Sequence, residues 1–182
     1  MFHKLKIFKD PINLLYIVLS MVVLVFSFEK TQSEGVISKG EFSGKLIFKG
    51  DSEYIIHSNK VSARIFPNGN TNKLELTIED NNSTKSIFVD IKNFTGKGIY
   101  FFPGDGENEN FGSLIKDKGN FRNTDNFFET SFPNPDGINN AVGRLNISKA
   151  NEFLEGELIL ITNNHLGSQA ILESSKFKIP IN

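Results

Sequence analysis

Apolar and polar side chains alternate with a period of two along most of the chain after Gly40. The segment Lys73–Glu79 is the clearest case, because Leu74, Leu76 and Ile78 fall on one face of an extended strand. Similar segments recur between clusters of Gly, Pro, Asn and Asp: Phe42–Phe48, Lys60–Phe66, Ser86–Ile91, Ile99–Phe102, Phe111–Ile115, Asn126–Phe132, Ala141–Ser148, Phe153–Thr162 and Gln169–Ile181. Short strands joined by turns predict an all-β fold, an antiparallel β-sandwich or, alternatively, a β-barrel.

The N-terminal region carries a different signal. Ile12–Phe28 is an uncharged apolar run, and Lys4, Lys6 and Lys9 precede it. A basic stretch followed by an apolar stretch is typical of an export signal, and the run approaches the ~20 residues of a membrane-spanning helix. The sequence therefore predicts an N-terminal apolar helix. This helix is either a signal peptide cleaved after Thr31–Ser33 or an uncleaved membrane anchor, and both place the remaining chain outside the cytoplasm.

These signals predict three parts: a signal peptide or anchor at residues 1–33, a polar linker at 34–40, and a β-domain at 41–182. The β-domain is expected in the periplasm or at the cell surface. The chain has no Cys, which excludes disulfides and thiolate metal sites. Its formal net charge of −1 argues against a nucleic-acid partner, because nucleic-acid binding requires a clustered basic surface.

Glycine-containing strand motifs in the last third carry a resemblance to a known group of proteins. The segments are Gly143–Ile147, Phe153–Leu158 and Ser175–Ile179, with an earlier Gly98–Tyr100 element. They resemble small exported β-sandwich proteins of unknown function from Bacteroidota. Many of those proteins have a lipid-modified Cys, which this chain lacks, so the resemblance implies the fold and export without lipid attachment. It implies no catalytic residues.

One loop has the spacing of a calcium site. Asp105, Glu107 and Glu109 occupy positions one, three and five, as the oxygen ligands of a calcium loop do. Position six is Asn110 where such a loop has Gly, and position twelve is Lys116 where it has Glu. We therefore favour a solvated acidic loop over a calcium site. No other cofactor is predicted.

No combination of residues in the sequence predicts a reaction. Glu155 and Glu157 share one face of a predicted strand and could approach each other as a carboxylate pair. We favour the interpretation that they form the solvent-facing side of that strand. His57 and His165 lie in no metal-ligand spacing, and a nucleophile elbow and a phosphate-binding glycine loop are missing. The sequence favours a protein that is not an enzyme.

Phenylalanine is concentrated in the irregular middle of the chain, at Phe101, Phe102, Phe111, Phe121, Phe127, Phe128 and Phe132. These side chains either fill the interior of the sheet or line an apolar ligand pocket, and we favour the interior. The leading prediction is an exported cell-envelope β-sandwich with a binding or structural role, with an envelope protein or glycan as partner. The alternatives are a barrel-like carrier of an apolar ligand and a hydrolase with scattered carboxylates.

Overall fold

The computed structural model describes residues 40–102, 109–120, 122–132 and 141–181. The strands in these residues are β1 (Glu41–Phe48), β2 (Tyr54–Ser58), β3 (Lys60–Asn68), β4 (Thr71–Glu79), β5 (Ser86–Phe94), β6 (Gly98–Phe102), β7 (Phe111–Ile115), β8 (Phe127–Glu129), β9 (Val142–Ala150), β10 (Phe153–Asn163) and β11 (Gln169–Pro180). A 3-10 turn, Thr124–Asn126, precedes β8. The predicted apolar helix at residues 12–28 lies outside the described residues. Within them, no helix is long and apolar enough to cross a membrane.

All these strands belong to one antiparallel sheet. Its main order is β2-β1-β11-β10-β8-β7-β5-β4-β3, and β9 pairs with β10 on one side and with β6 on the other. The last strand, β11, therefore lies between β1 and β10. The predicted all-β, antiparallel fold is confirmed, and the sheet curves until it almost closes, so that the architecture is barrel-like.

The sheet closes where the two ends of the strand order meet. β2 and β3 occupy opposite ends of that order, although only Asn59 separates them in the chain. The open edge of β2 is joined to the turn between β4 and β5, because the Asn81 amide donates to the His57 carbonyl at 3.3 Å. The Ser58 hydroxyl also donates to the Glu79 carbonyl. These bonds satisfy backbone groups that an unprotected edge strand would expose.

A buried carboxylate reinforces this closure. Asp80 is 2% exposed and accepts a 2.5 Å hydrogen bond from the Tyr54 hydroxyl. The backbone amides of His57 and Asn82 also donate to it. Burial alone would raise the pKa of Asp80, but hydrogen bonds from Tyr54, Ser83 and the two amides together lower that pKa below its usual value. The turn is therefore held against β2 by an ionised, fully hydrogen-bonded side chain.

The sheet also forks. Most of one edge of β10 pairs with β9, while Asn163 at the end of β10 pairs with Glu129 of β8. On the far side of the fork, Asn110 bridges β5 and β6: its side-chain oxygen accepts from the Lys92 amide, and its side-chain nitrogen donates to the Phe101 carbonyl. This amide therefore links two strands that do not pair directly.

The interior of the sheet is filled by one apolar cluster. Its fully buried members come from strands all around the sheet and include Leu46, Leu76, Ile87, Leu114 and Leu158. The middle phenylalanines that the structure describes divide into three groups: Phe102 and Phe128 are in the core, Phe111, Phe127 and Phe132 are half-buried, and Phe101 is 63% exposed. Phe121 lies outside the described residues.

The predicted strands match the observed ones closely, with two differences. β2 was not predicted, because it is short and lies in a polar stretch, with Ile55 and His57 facing outward. The strand predicted at Asn126–Phe132 covers only the three residues of β8. Both differences occur where a strand is too short for the two-residue period to stand out.

Candidate functional site

A shallow polar groove crosses the outer face of the sheet over β11. It consists of two adjacent depressions, of about 430 and 240 Å³, and Lys176 contributes to both. The polar residues of the larger depression come from β1, β2, the single residue between β2 and β3, the β4–β5 turn and β11: Glu41, Ser43, His57, Ser58, Asn59, Asn81, Lys176 and Lys178. Those of the smaller one come from β9, β10 and β11: Asn146, Ser148, Glu155, Glu157 and Lys176. We call these two depressions the β11 groove.

Irregularities in the strand pairing shape the β11 groove. The register of β11 shifts against both neighbouring strands at overlapping positions, between Glu173 and Lys176 opposite β1 and between Leu172 and Phe177 opposite β10. Ser174 there has a φ of 51°, a left-handed conformation that is unusual for a residue other than Gly, Asn or Asp. The buried Ser175 hydroxyl both accepts from the Leu158 amide and donates to the Leu158 carbonyl. A side chain thus replaces the ladder bonds that the bulge removes.

A glycine allows the strands to approach each other beside the bulge. β9 also shifts its register against β10 between Glu155 and Gly156. A Cβ atom on Gly156 would lie 2.1 Å from the Asn146 carbonyl oxygen and 2.9 Å from the Phe177 ring. Only glycine fits at this point, because no side chain can occupy that space without moving the backbone of β9.

Three charged side chains of the β11 groove make no ion pair with any described residue: Lys176, Glu157 and Glu41. Glu41 stands opposite Lys178 in the register, but Lys178 pairs instead with Glu155 at 3.3 Å. The groove therefore contains charges of both signs that are available to a ligand.

Glu155 is the most constrained acid of the β11 groove. Lys149 lies 2.9 Å from it, and Lys178 lies on its other side. Hydrogen bonds lower the pKa of Glu155 below its usual value, and the bond from Lys149 contributes more than the bond from Lys178. Burial opposes this shift. A general acid for glycoside hydrolysis requires a raised pKa instead.

The calcium prediction falls mostly outside the described chain. Asp105 and Glu107 lie there, and Glu109, which is described, is exposed just before β7. Lys116, at position twelve, pairs with Asp51 at 2.7 Å. Among the described residues, no group of three or more His, Asp or Glu side chains could hold a metal ion. The calcium site stays a prediction.

The other residues considered from sequence do not form one site. Glu155 and Glu157 face outward on β10, as expected for its solvent side. His57 lines the β11 groove from β2, whereas His165 lies in the β10–β11 loop, 3.4 Å from Asp125. Sequence reasoning did not find Lys176, Asn146 or the groove itself. Alternation could assign these side chains to the outer face, but not to a common depression.

No protein-family model, curated protein or solved structure matches this chain. The resemblance to exported Bacteroidota proteins therefore stays a prediction.

Proposed function

We propose that this protein is a non-enzymatic, exported cell-envelope domain that binds a polar partner, an envelope glycan or protein segment, in the β11 groove. The observation that carries the proposal is the groove itself, a depression on the outer face lined by amides, hydroxyls and unpaired charges of both signs. Such groups recognise polar ligands by hydrogen bonding. The apolar run at residues 12–28 and the lysines before it support export.

The two alternative functions have less support. An apolar-ligand carrier requires an apolar cavity, whereas the described inward-facing side chains pack into one cluster. A hydrolase with two carboxylates requires one acid with a raised pKa. Asp80 and Glu155 are the described acids with a shifted pKa, and hydrogen-bond partners lower the pKa of both.

Blocking the groove tests the proposal. Ser43 lines the larger depression from β1, and Ser43→Trp would fill it with an indole ring. Ser62 is exposed on β3, outside the groove, so Ser62→Trp is a matched control. Purified envelope polysaccharide and envelope proteins are applied to the immobilised full-length chain and to each variant, and the retained material is measured.

We expect the wild type and Ser62→Trp to retain the same material, intact after incubation, and Ser43→Trp to lose it. Equal retention by the two variants would show that the β11 groove is not the binding site. Recovery of shortened material would show that the protein is an enzyme.

A further inference from the structure

The outer face of the sheet is polar on some strands and apolar on others. The outward-facing side chains of β4 from residue 73 to 79 are all polar or charged: Lys73, Glu75, Thr77 and Glu79. The paired strands β1, β11, β10, β9 and β6 differ, because they carry apolar side chains on the outside: Ile47, Ile171, Ile159, Ile161, Val142 and Phe101. We call these six residues the outer apolar patch.

The strand register brings the side chains of the outer apolar patch into contact range. Ile47 is opposite Ile171, and Ile171 is opposite Ile161 on its other side. Ile161 is in turn opposite Val142, which is 49% exposed. Phe101, on the next strand, is 63% exposed and diagonal to Val142. A continuous apolar row on the face that an antiparallel sheet normally keeps polar indicates an interaction surface.

A cation lies within this apolar surface. Arg144 of β9 is exposed and stands opposite Phe101 on one side and Ile159 on the other. It forms no ion pair with any described residue, including Glu157, which lies two residues from Ile159 on β10. Covering a guanidinium without a partner is costly. Whatever covers the patch must therefore present an apolar surface and an anionic group side by side.

The size of the outer apolar patch argues against a second protein as its occupant. From Ile47 to Phe101 it crosses four strand spacings, roughly 19 Å, and its two rows of side chains occupy roughly 13 Å along the strands. The projected area is roughly 250 Å², whereas a stable protein–protein interface buries about 800 Å² on each partner. The patch alone is therefore too small for a stable dimer.

A membrane can be bound through a small surface when the protein is also tethered to it. An uncleaved apolar run at residues 12–28 would provide this tether, and residues 29–40 would connect it to β1. Even fully extended, that connection spans only roughly 40 Å. The tether keeps the effective concentration of the membrane surface high, so a weak contact suffices.

We propose that the outer apolar patch docks onto a phospholipid bilayer. Phe101 and the aliphatic row enter the boundary between the headgroups and the acyl chains, and Arg144 binds a lipid phosphate. A phospholipid offers both groups that the patch requires, because its phosphate lies directly beside its apolar chains. This inference goes beyond ligand binding in the β11 groove and does not depend on it.

Tryptophan fluorescence tests the proposal, because the chain has no Trp and a single introduced one reports on a single position. Phe101→Trp places the reporter in the patch, and Ser62→Trp places it on the exposed face of β3, outside the patch. Both full-length variants are reconstituted into vesicles of phosphatidylcholine and phosphatidylglycerol, with and without bromine on the acyl chains. Bromine quenches a tryptophan that it contacts. We expect strong quenching of Phe101→Trp and little quenching of Ser62→Trp.

The role of Arg144 is tested in the Phe101→Trp background. Arg144→Gln should lower the ratio of quenched to unquenched reporter about five-fold, because a basic residue near an anionic membrane surface contributes roughly this factor. Arg64→Gln is the matched control, since Arg64 is also exposed, forms no ion pair with described residues and lies on β3. It should leave the ratio unchanged.

Equal quenching of the two reporters would overturn the inference, as would protein that stays free of the vesicles. Emission of Phe101→Trp that is shifted to the blue but not quenched by bromine would show that protein, and not lipid, covers the patch. An equal effect of Arg144→Gln and Arg64→Gln would remove the proposed phosphate contact. The retention assay with Ser43→Trp is independent of all these results, so binding in the β11 groove stands or fails separately.

Discussion

Gly156→Ala should destabilise the protein strongly, although it adds only one methyl group. The new Cβ would lie 2.1 Å from the Asn146 carbonyl oxygen, whereas an ordinary contact of this kind is roughly 3.3 Å. β9 would have to move by about 1 Å, which strains the ladder bonds on both sides of the bulge. Overpacking against a backbone atom costs about 3 kcal/mol, at the upper end of the usual range. For a domain of this size the Tm should fall by about 6–12 °C.

Gly98→Ala is the matched control, because Gly98 is also in a strand and a Cβ atom there would lie 3.9 Å from its nearest neighbour, the Tyr100 hydroxyl oxygen. Its Tm should change little or rise, since alanine restricts the unfolded chain. The measurement is thermal unfolding of both variants and the wild type, followed by circular dichroism. The reasoning is refuted if Gly156→Ala lowers the Tm by no more than Gly98→Ala does.

Two other predictions concern the closure of the sheet and the N-terminus. Because the folded-state pKa of Asp80 is lowered, its ionised form contributes stability above the unfolded pKa, and this contribution is lost as the pH falls through the folded pKa. Urea unfolding of Asp80→Asn should therefore show lower stability at neutral pH and a smaller loss toward acid pH than the wild type; parallel curves would contradict this. The mass of the protein from host-cell fractions should show either a start near Glu34 in the soluble envelope or intact Met1–Asn182 in the membrane; intact protein in the cytoplasm would argue against export.

The strands could largely be predicted from sequence because their signal is local. Lys73–Glu79 has alternating side chains, and β4 indeed buries Leu74, Leu76 and Ile78. The order of the strands is not local information. Nothing in the sequence of β11 indicates that it lies between β1 and β10. Any two amphipathic strands can pair, provided that their register keeps the apolar side chains of both on the buried face.

The β11 groove could not be predicted for a related reason. Its residues come from five strands, from Asn59 between β2 and β3, and from the β4–β5 turn, which are distant from one another in the sequence. Ser174 has a left-handed conformation, although this conformation is usually indicated in a sequence by Gly or Asn. Gly156 was visible in the sequence, but a lone glycine in a strand indicates a close approach without identifying the neighbour. Asp80 hydrogen-bonds the β4–β5 turn to β2, but its place in the sequence is that of an ordinary turn residue.

The central place of β11 affects the order in which the chain can acquire structure. β1 leaves the ribosome first among the described strands, yet one of its two neighbours is made last. β10 has β9 on one edge, but its other edge stays open until Gln169–Pro180 has been synthesised. Such distant pairings make folding slow. The sheet therefore stays incomplete until β11 has been synthesised. Late folding of this kind is compatible with the proposed export, because an exported chain crosses the membrane before it folds.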